Sequence, residues 1–135
     1  MNNKNKEIYG QFNQEHLTKM QKGLDYYNRA LYWECHEELE DHWLEDNGDN
    51  ARYVYWAVIQ VATALFHWSD DNLNGARGQL RRAKEKLDKI EQLHVETPLL
   101  YNSLSWQAFK DIVRSISSDP KLEDFKSLSK FKFKI

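Results

Sequence analysis

The stretch YWECHEELEDHW, residues 32–43, sets two histidines, one cysteine and five carboxylates between aromatic residues. Neutral imidazoles, thiolates and carboxylates are the groups that ligate transition metals and move protons in enzymes. On a helix His36 and Glu40, four apart, stack on one side. Further on, Gln60 and His67 stand seven apart, which is two helical turns, and share a face. If those faces meet, His36, Glu40 and His67 offer two nitrogens and an oxygen to a divalent metal with a position open for water. Glu37 is then the candidate base of a metal-dependent hydrolase or related enzyme. The same four side chains, His36, Glu40, Gln60 and His67, also make a structural reading. A mutually hydrogen-bonded set in the core fixes helices against each other, whereas an unpartnered one costs kilocalories.

Other chemistries fail on spacing. His36-Glu37 begins like the H-E-x-x-H zinc-protease pattern, but Glu40 occupies the place of the second histidine. His42, six residues along, is rotated well away from His36. No Glu lies three residues before His36, His42 or His67, as the di-iron bundle signature requires. Cys35 diverges from His36 by about 100° on a helix and reads as a small packed residue.

Helices must position these groups. Leu17, Met20, Leu24, Tyr27 and Leu31 alternate spacings of three and four, which predicts a first helix beginning near Gln14. Tyr32, His36, Leu39 and Trp43 continue that rhythm to the Asn47-Gly48-Asp49-Asn50 breaker, so the opening stretch is the second helix, with His36 pointing inward. From Arg52 to Ser69 apolar residues occur on nearly every side, as in a central helix. Ser69-Asp70-Asp71-Asn72 supplies caps for a fourth helix carried by Leu73, Ala76, Leu80, Ala83, Leu87 and Ile90. Gly75 and Gly78 within it are expected to mark close approach to another helix. Thr97-Pro98 opens one or two shorter helices that end at Ser117-Ser118-Asp119-Pro120. The tail KFKFKI alternates with period two and suits an extended segment, mobile or docked. The expected fold class is therefore all-α, a compact antiparallel bundle of four long helices plus one or two short C-terminal helices. Residues 1–13 are expected to form an N-terminal extension, 14–117 a single bundle domain, and 118–135 an extended or mobile tail.

At 135 residues the chain can bury a real core, and 13% aromatic residues separate it from disordered chains. A formal charge of -2 gives no global attraction to nucleic acid or anionic lipid, so neither partner is expected. The most apolar run, around Tyr53–Trp68, is interrupted by Gln60, Thr63 and His67 and is shorter than a membrane span needs. The N-terminus lacks a signal-peptide core, and one cysteine fits a reducing compartment, so a cytoplasmic location is expected. Between Arg29 and Arg52 there are eight acidic residues and no Lys or Arg, while Arg77, Arg81, Arg82, Lys84, Lys86 and Lys89 make the fourth helix basic. Mutual complementarity of the second and fourth helices is the expected use of these blocks. A phosphate site on Arg77 and Arg81 is the alternative, although cations near a helix start oppose its dipole.

Three ordered motifs carry a family resemblance. Glu34, His36, Glu37, Leu39, Glu40 and Trp43 fit E-x-H-E-x-L-E-x-x-W. Ile59, Gln60 and His67 fit a following I-Q-x-x-x-x-x-H, and Asn72, Gly75 and Ala76 fit N-x-x-G-A. Over residues 24–90 the chain thus resembles the domain of unknown function 309 family. The resemblance implies a small all-helical bundle and draws attention to His36, Glu37, Glu40, Gln60 and His67, and it supplies no reaction. The function expected is a binding or interaction module for a protein partner or small ligand. A homo-oligomer burying Trp33 or Trp106 between chains is a further expectation.

Overall fold

The computed structural model describes residues 10–135. It is all-α, with no strand among the described residues. Helix α1 spans Gln14–Asn28, α2 Tyr32–Glu45, α3 Arg52–Ser69 and α4 Leu73–Gln92; α5 spans Pro98–Leu104 and α6 Trp106–Ser115. A 3-10 turn, Leu122–Phe125, leads into α7, Lys126–Lys130. None of these helices is long and apolar enough to cross a membrane.

Local chemistry explains the ends of most of these elements. Asn13 caps α1 by accepting from the Glu15 amide at 2.9 Å, and the ring of His16 reaches back to accept from the Asn13 amide, also at 2.9 Å. Asn72 caps α4 by accepting from the Gly75 amide, and Thr97 caps α5 ahead of Pro98. Ala30, Asp71, His94 and Ser105 take left-handed φ values of 55–60° at the corners between helices.

The bundle is built by successive neighbours: α1 packs on α2, α2 on α3 and α3 on α4. Ring contacts of Trp33 with Phe66 and of Trp43 with Trp56 show that α2 and α3 run antiparallel. Helix α3 is central, burying ten side chains including Gln60, as the lack of a polar face in its sequence predicts.

Four expectations change. Trp106 is fully buried within the chain, its indole N–H donating to Glu96 at 2.6 Å, so it is not an exposed ring waiting for a second copy. Residues 1–9 of the expected extension lie outside the described residues, but Phe12 and Asn13 belong to the fold: Phe12 is buried and exchanges bonds with Val95 and Thr97. In the expected tail, residues 122–130 are helical, and the extended end docks. Phe133 packs on Tyr27 and Phe109, and its backbone pairs with the Asn28 side chain at 2.8 Å through both N–H and C=O. Period two is kept there, with Phe131 and Phe133 turned inward and Lys130, Lys132 and Lys134 outward or at the surface. Finally, no ion pair joins α2 to α4 among the described residues, and the expected complementarity of their charges is not formed. The acids of α2 and the corner after it meet α1 instead, through Lys19–Asp46 at 2.7 Å and Lys22–Glu38 at 3.8 Å.

Candidate functional site

Helix α2 turns Tyr32, Cys35 and Leu39 into the core. Cys35, not His36, holds the inward position, and one residue's rotation of about 100° carries His36 to the rim. There His36 Nε2 meets Glu40 Oε2 at 3.2 Å, with the two side chains 20% and 50% exposed. The His36 ring lies against Trp33 at 4.7 Å, and Trp33 rests on Phe66 of α3 at 5.2 Å. His36 Nδ1 is shielded from solvent and has no partner.

Gln60 and His67 answer different demands. Gln60 is buried in α3 with its Oε1 unpartnered. His67 closes the α3–α4 corner, where its Nδ1 faces Asn72 Nδ2 at 3.4 Å and its carbonyl accepts from the Asn72 amide at 2.9 Å. A Cβ added at Gly75 would lie 2.8 Å from His67 Cγ and 2.6 Å from Asn72 Nδ2. The Asn72-Gly75-Ala76 motif is therefore the cap, the gap for the imidazole ring and a fully buried contact. Gly78 meets nothing within 4 Å, so the close approach expected of both glycines belongs to Gly75 alone.

The expected foursome is thus drawn apart. His36 and Glu40 pair, His67 serves the corner, and Gln60 stays in α3 with no hydrogen bond to the other three. Glu37 is exposed, lining with Tyr26, Glu34, Glu38 and Asp41 a shallow cleft of about 230 Å³ between α1 and α2. Glu38 bonds His42 at 3.1 Å. Cys35 is buried, and burial pushes its thiol up to about 12, which leaves almost no thiolate for nucleophilic work.

Among the described residues, one group of three His, Cys, Asp or Glu ligand atoms lies within 4.8 Å: His16, Asp46 and Asp49. Its members come from α1 and the α2–α3 corner. Asp49 Oδ2 takes the His16 Nε2 contact at 2.7 Å, and Asp49 Oδ1 accepts from the Ala51 amide. Asp46 accepts from Lys19 Nζ at 2.7 Å and from Tyr55 Oη at 2.8 Å. Burial alone would raise the Asp46 carboxyl, but the bonds from Lys19 and Tyr55 outweigh it and hold the carboxyl below its usual range. The bond to Asp46 conversely holds the Lys19 ammonium above its usual value.

The donor set does not fit a cation. His16 Nδ1 already accepts a backbone N–H, so the ring proton sits on Nε2 and is donated to Asp49, leaving no lone pair for a metal. Lys19 occupies the cation's place beside Asp46. These five residues form a clasp that fastens α1 to the α2–α3 corner. Sequence reasoning passed over them because no local pattern joins residue 16 to residue 49. The one legible signal was His16 three residues after the Asn13 cap.

Comparison with known proteins agrees with the motif reading. Residues 20–79 match the family described as a domain of unknown function, DUF309. The chain is 30% identical over 113 residues to the uncharacterised protein YpuF of Bacillus subtilis (strain 168), an alignment covering 75% of this chain and 64% of that protein. The chain thus spans a little under two thirds of that relative's length. No solved structure matches.

Proposed function

We propose, from the premise that residues 20–79 match the domain of unknown function 309, that this protein works by binding. In this reading its polar interior groups set the helices, and α2 receives a basic segment of a protein partner. The observation that carries the reading is Trp33. Its indole is 45% exposed although braced by His36 and Phe66, and a large ring held rigidly at the surface is a ready contact for a partner. Glu37 and Glu40 follow it at one and two helical turns, both exposed. Glu34, Glu37 and Asp41 have no ion pair among the described residues. A Lys or Arg laid over Trp33 would gain a cation–π contact and reach these carboxylates.

The rival reading is a metal-dependent hydrolase with His36, Glu40 and His67 as ligands and Glu37 as base. One contact favours it, His36 with Glu40 at 3.2 Å. The binding reading rests on more of the motif-bearing surface.

Titration of the ¹⁵N-labelled protein with a Lys/Leu amphipathic 15-residue peptide tests the proposal. The expected result is a saturable shift of the Trp33 indole resonance and of the backbone amides of α2, the amide shifts being lost in Trp33→Ala and Glu37→Lys and absent with a Glu/Leu peptide. Shifts spread evenly over all acidic surfaces, or unaffected by Trp33→Ala, would sink it. Zinc or manganese that raises the melting temperature of the wild type and not of His36→Ala would favour the hydrolase reading instead. Sedimentation showing a dimer that Trp33→Ala dissolves would make the partner a second copy of this chain.

A further inference from the structure

Arg77, Arg81 and Lys84 leave α4 on successive turns. With Ser117, Ser118 and Pro120 from the segment after α6, and with buried Leu80, they line a cavity of about 70 Å³. That space is roughly two water volumes, the size of one small polyatomic ion and not of a nucleotide.

The donors around it exceed the acceptors. Arg77 is met by one carboxylate, Asp119, at 3.1 Å, whose side chain is 84% exposed, and donates to the Pro120 carbonyl at 3.3 Å. The Nε of Arg77 is shielded from solvent and has no partner. Arg81 makes no ion pair or hydrogen bond among the described residues. Lys84 donates to the Ile116 carbonyl and has no carboxylate beside it, and burial pushes its ammonium below the usual lysine value. Ser117 Oγ accepts from the Asp119 amide, so its hydroxyl proton remains available to an incoming acceptor. Three cations against one exposed carboxylate leave an uncompensated positive cavity, and forked guanidinium groups are shaped to give paired hydrogen bonds to an oxyanion. The dipole of α4 offers little opposition, because its effect fades within the first turn and Arg77 stands five residues beyond the Asn72 cap.

We propose that this cavity binds a phosphoryl group, either inorganic phosphate or the phosphate of a monoester, through Arg77, Arg81 and Lys84, with the Ser117 and Ser118 hydroxyls as further donors. This site is separate from the α2 surface, and either could fail without the other.

The test is thermal denaturation of the whole protein in a phosphate-free buffer, followed by calorimetric titration with inorganic phosphate. Phosphate raises the melting temperature, and sodium chloride at equal ionic strength does not. Arg81→Gln removes no internal bond, so it folds, and it weakens phosphate binding roughly tenfold through loss of a charge-assisted donor. Arg82→Gln, a neighbouring cation that does not line the cavity, leaves the affinity within about twofold, as expected of a screened surface charge. O-phosphoserine in a parallel titration assigns the source: tighter binding than inorganic phosphate identifies a monoester, weaker binding the free ion. Equal affinity of Arg81→Gln and wild type, or equal stabilisation by chloride, overturns the proposal.

Discussion

One methyl group added to α4 at two positions three residues apart should move stability in opposite directions. Gly78 is a helix-interior glycine with nothing within 4 Å of the place a Cβ would occupy. Gly78→Ala therefore recovers only the helix propensity and the unfolded-state entropy, about 0.5–1 kcal/mol of stabilisation. Gly75→Ala recovers a similar amount but puts its Cβ 2.8 Å from His67 Cγ and 2.6 Å from Asn72 Nδ2. The Asn72 amide can swing aside, at the cost of a cap of about 1 kcal/mol. The imidazole cannot, because Cγ is the atom nearest its own backbone, and overpacking of this kind costs about 1–3 kcal/mol. The net expectation is about 1–3 kcal/mol of destabilisation, so the two alanine variants differ by about 2–4 kcal/mol. Urea denaturation at constant m-value measures both. Combining His67→Ala with Gly75→Ala removes the clash, so the double variant should be more stable than the sum of the single effects by about 1 kcal/mol or more. If Gly75→Ala stabilises as much as Gly78→Ala, His67 does not fill the corner and this account of the Asn72-Gly75-Ala76 motif is wrong.

His16→Ala should cost about 3 kcal/mol, since it leaves the buried Asp49 carboxylate without its imidazole donor; a melting temperature that EDTA lowers in the wild type would show instead that the clasp holds a metal. Glu91 is held down to about 2, first by its hydrogen bond from Arg114 and, against the opposing effect of burial, also by Lys110. Its contribution is complete above the ordinary carboxyl value of 4.5 and is lost as the pH falls through about 2, so Arg114→Gln should flatten the acid limb of stability below pH 4.5. That contribution is moderated by solvent, because the Glu91 side chain is 37% exposed. Cys35, raised to about 12, should react with iodoacetamide at pH 8 roughly a thousandfold more slowly in the native protein than in urea, and labelling at a free-thiol rate would contradict its burial.

The sequence by itself determined what depends on neighbours along the chain. The start of α1 near Gln14 followed from its apolar spacing, and those of α4 and α5 from the Ser69–Asn72 cluster and Thr97-Pro98, because a cap acts on amides two or three residues away. The centrality of α3 followed from its lack of a polar face, and the extended form of the chain's last residues followed from period two, although not whether they dock. Periodicity also says that a helix has a buried side, but it locates that side only to within a residue. In α2 both Cys35 and His36 fit a three-four stripe beginning at Tyr32, and only the packing of α2 on α1 and α3 settled on Cys35. That choice moved His36 and Glu40 from core to rim and separated them from Gln60 and His67. Tertiary structure alone decided contacts between residues far apart in the chain. It joined His16 to Asp49, docked Phe133 on Asn28, and set Ser117 and Ser118 beside Arg81. These pairings depend on the relative rotation and height of whole helices, which are fixed by the summed packing of the core and leave no mark in any local stretch of sequence.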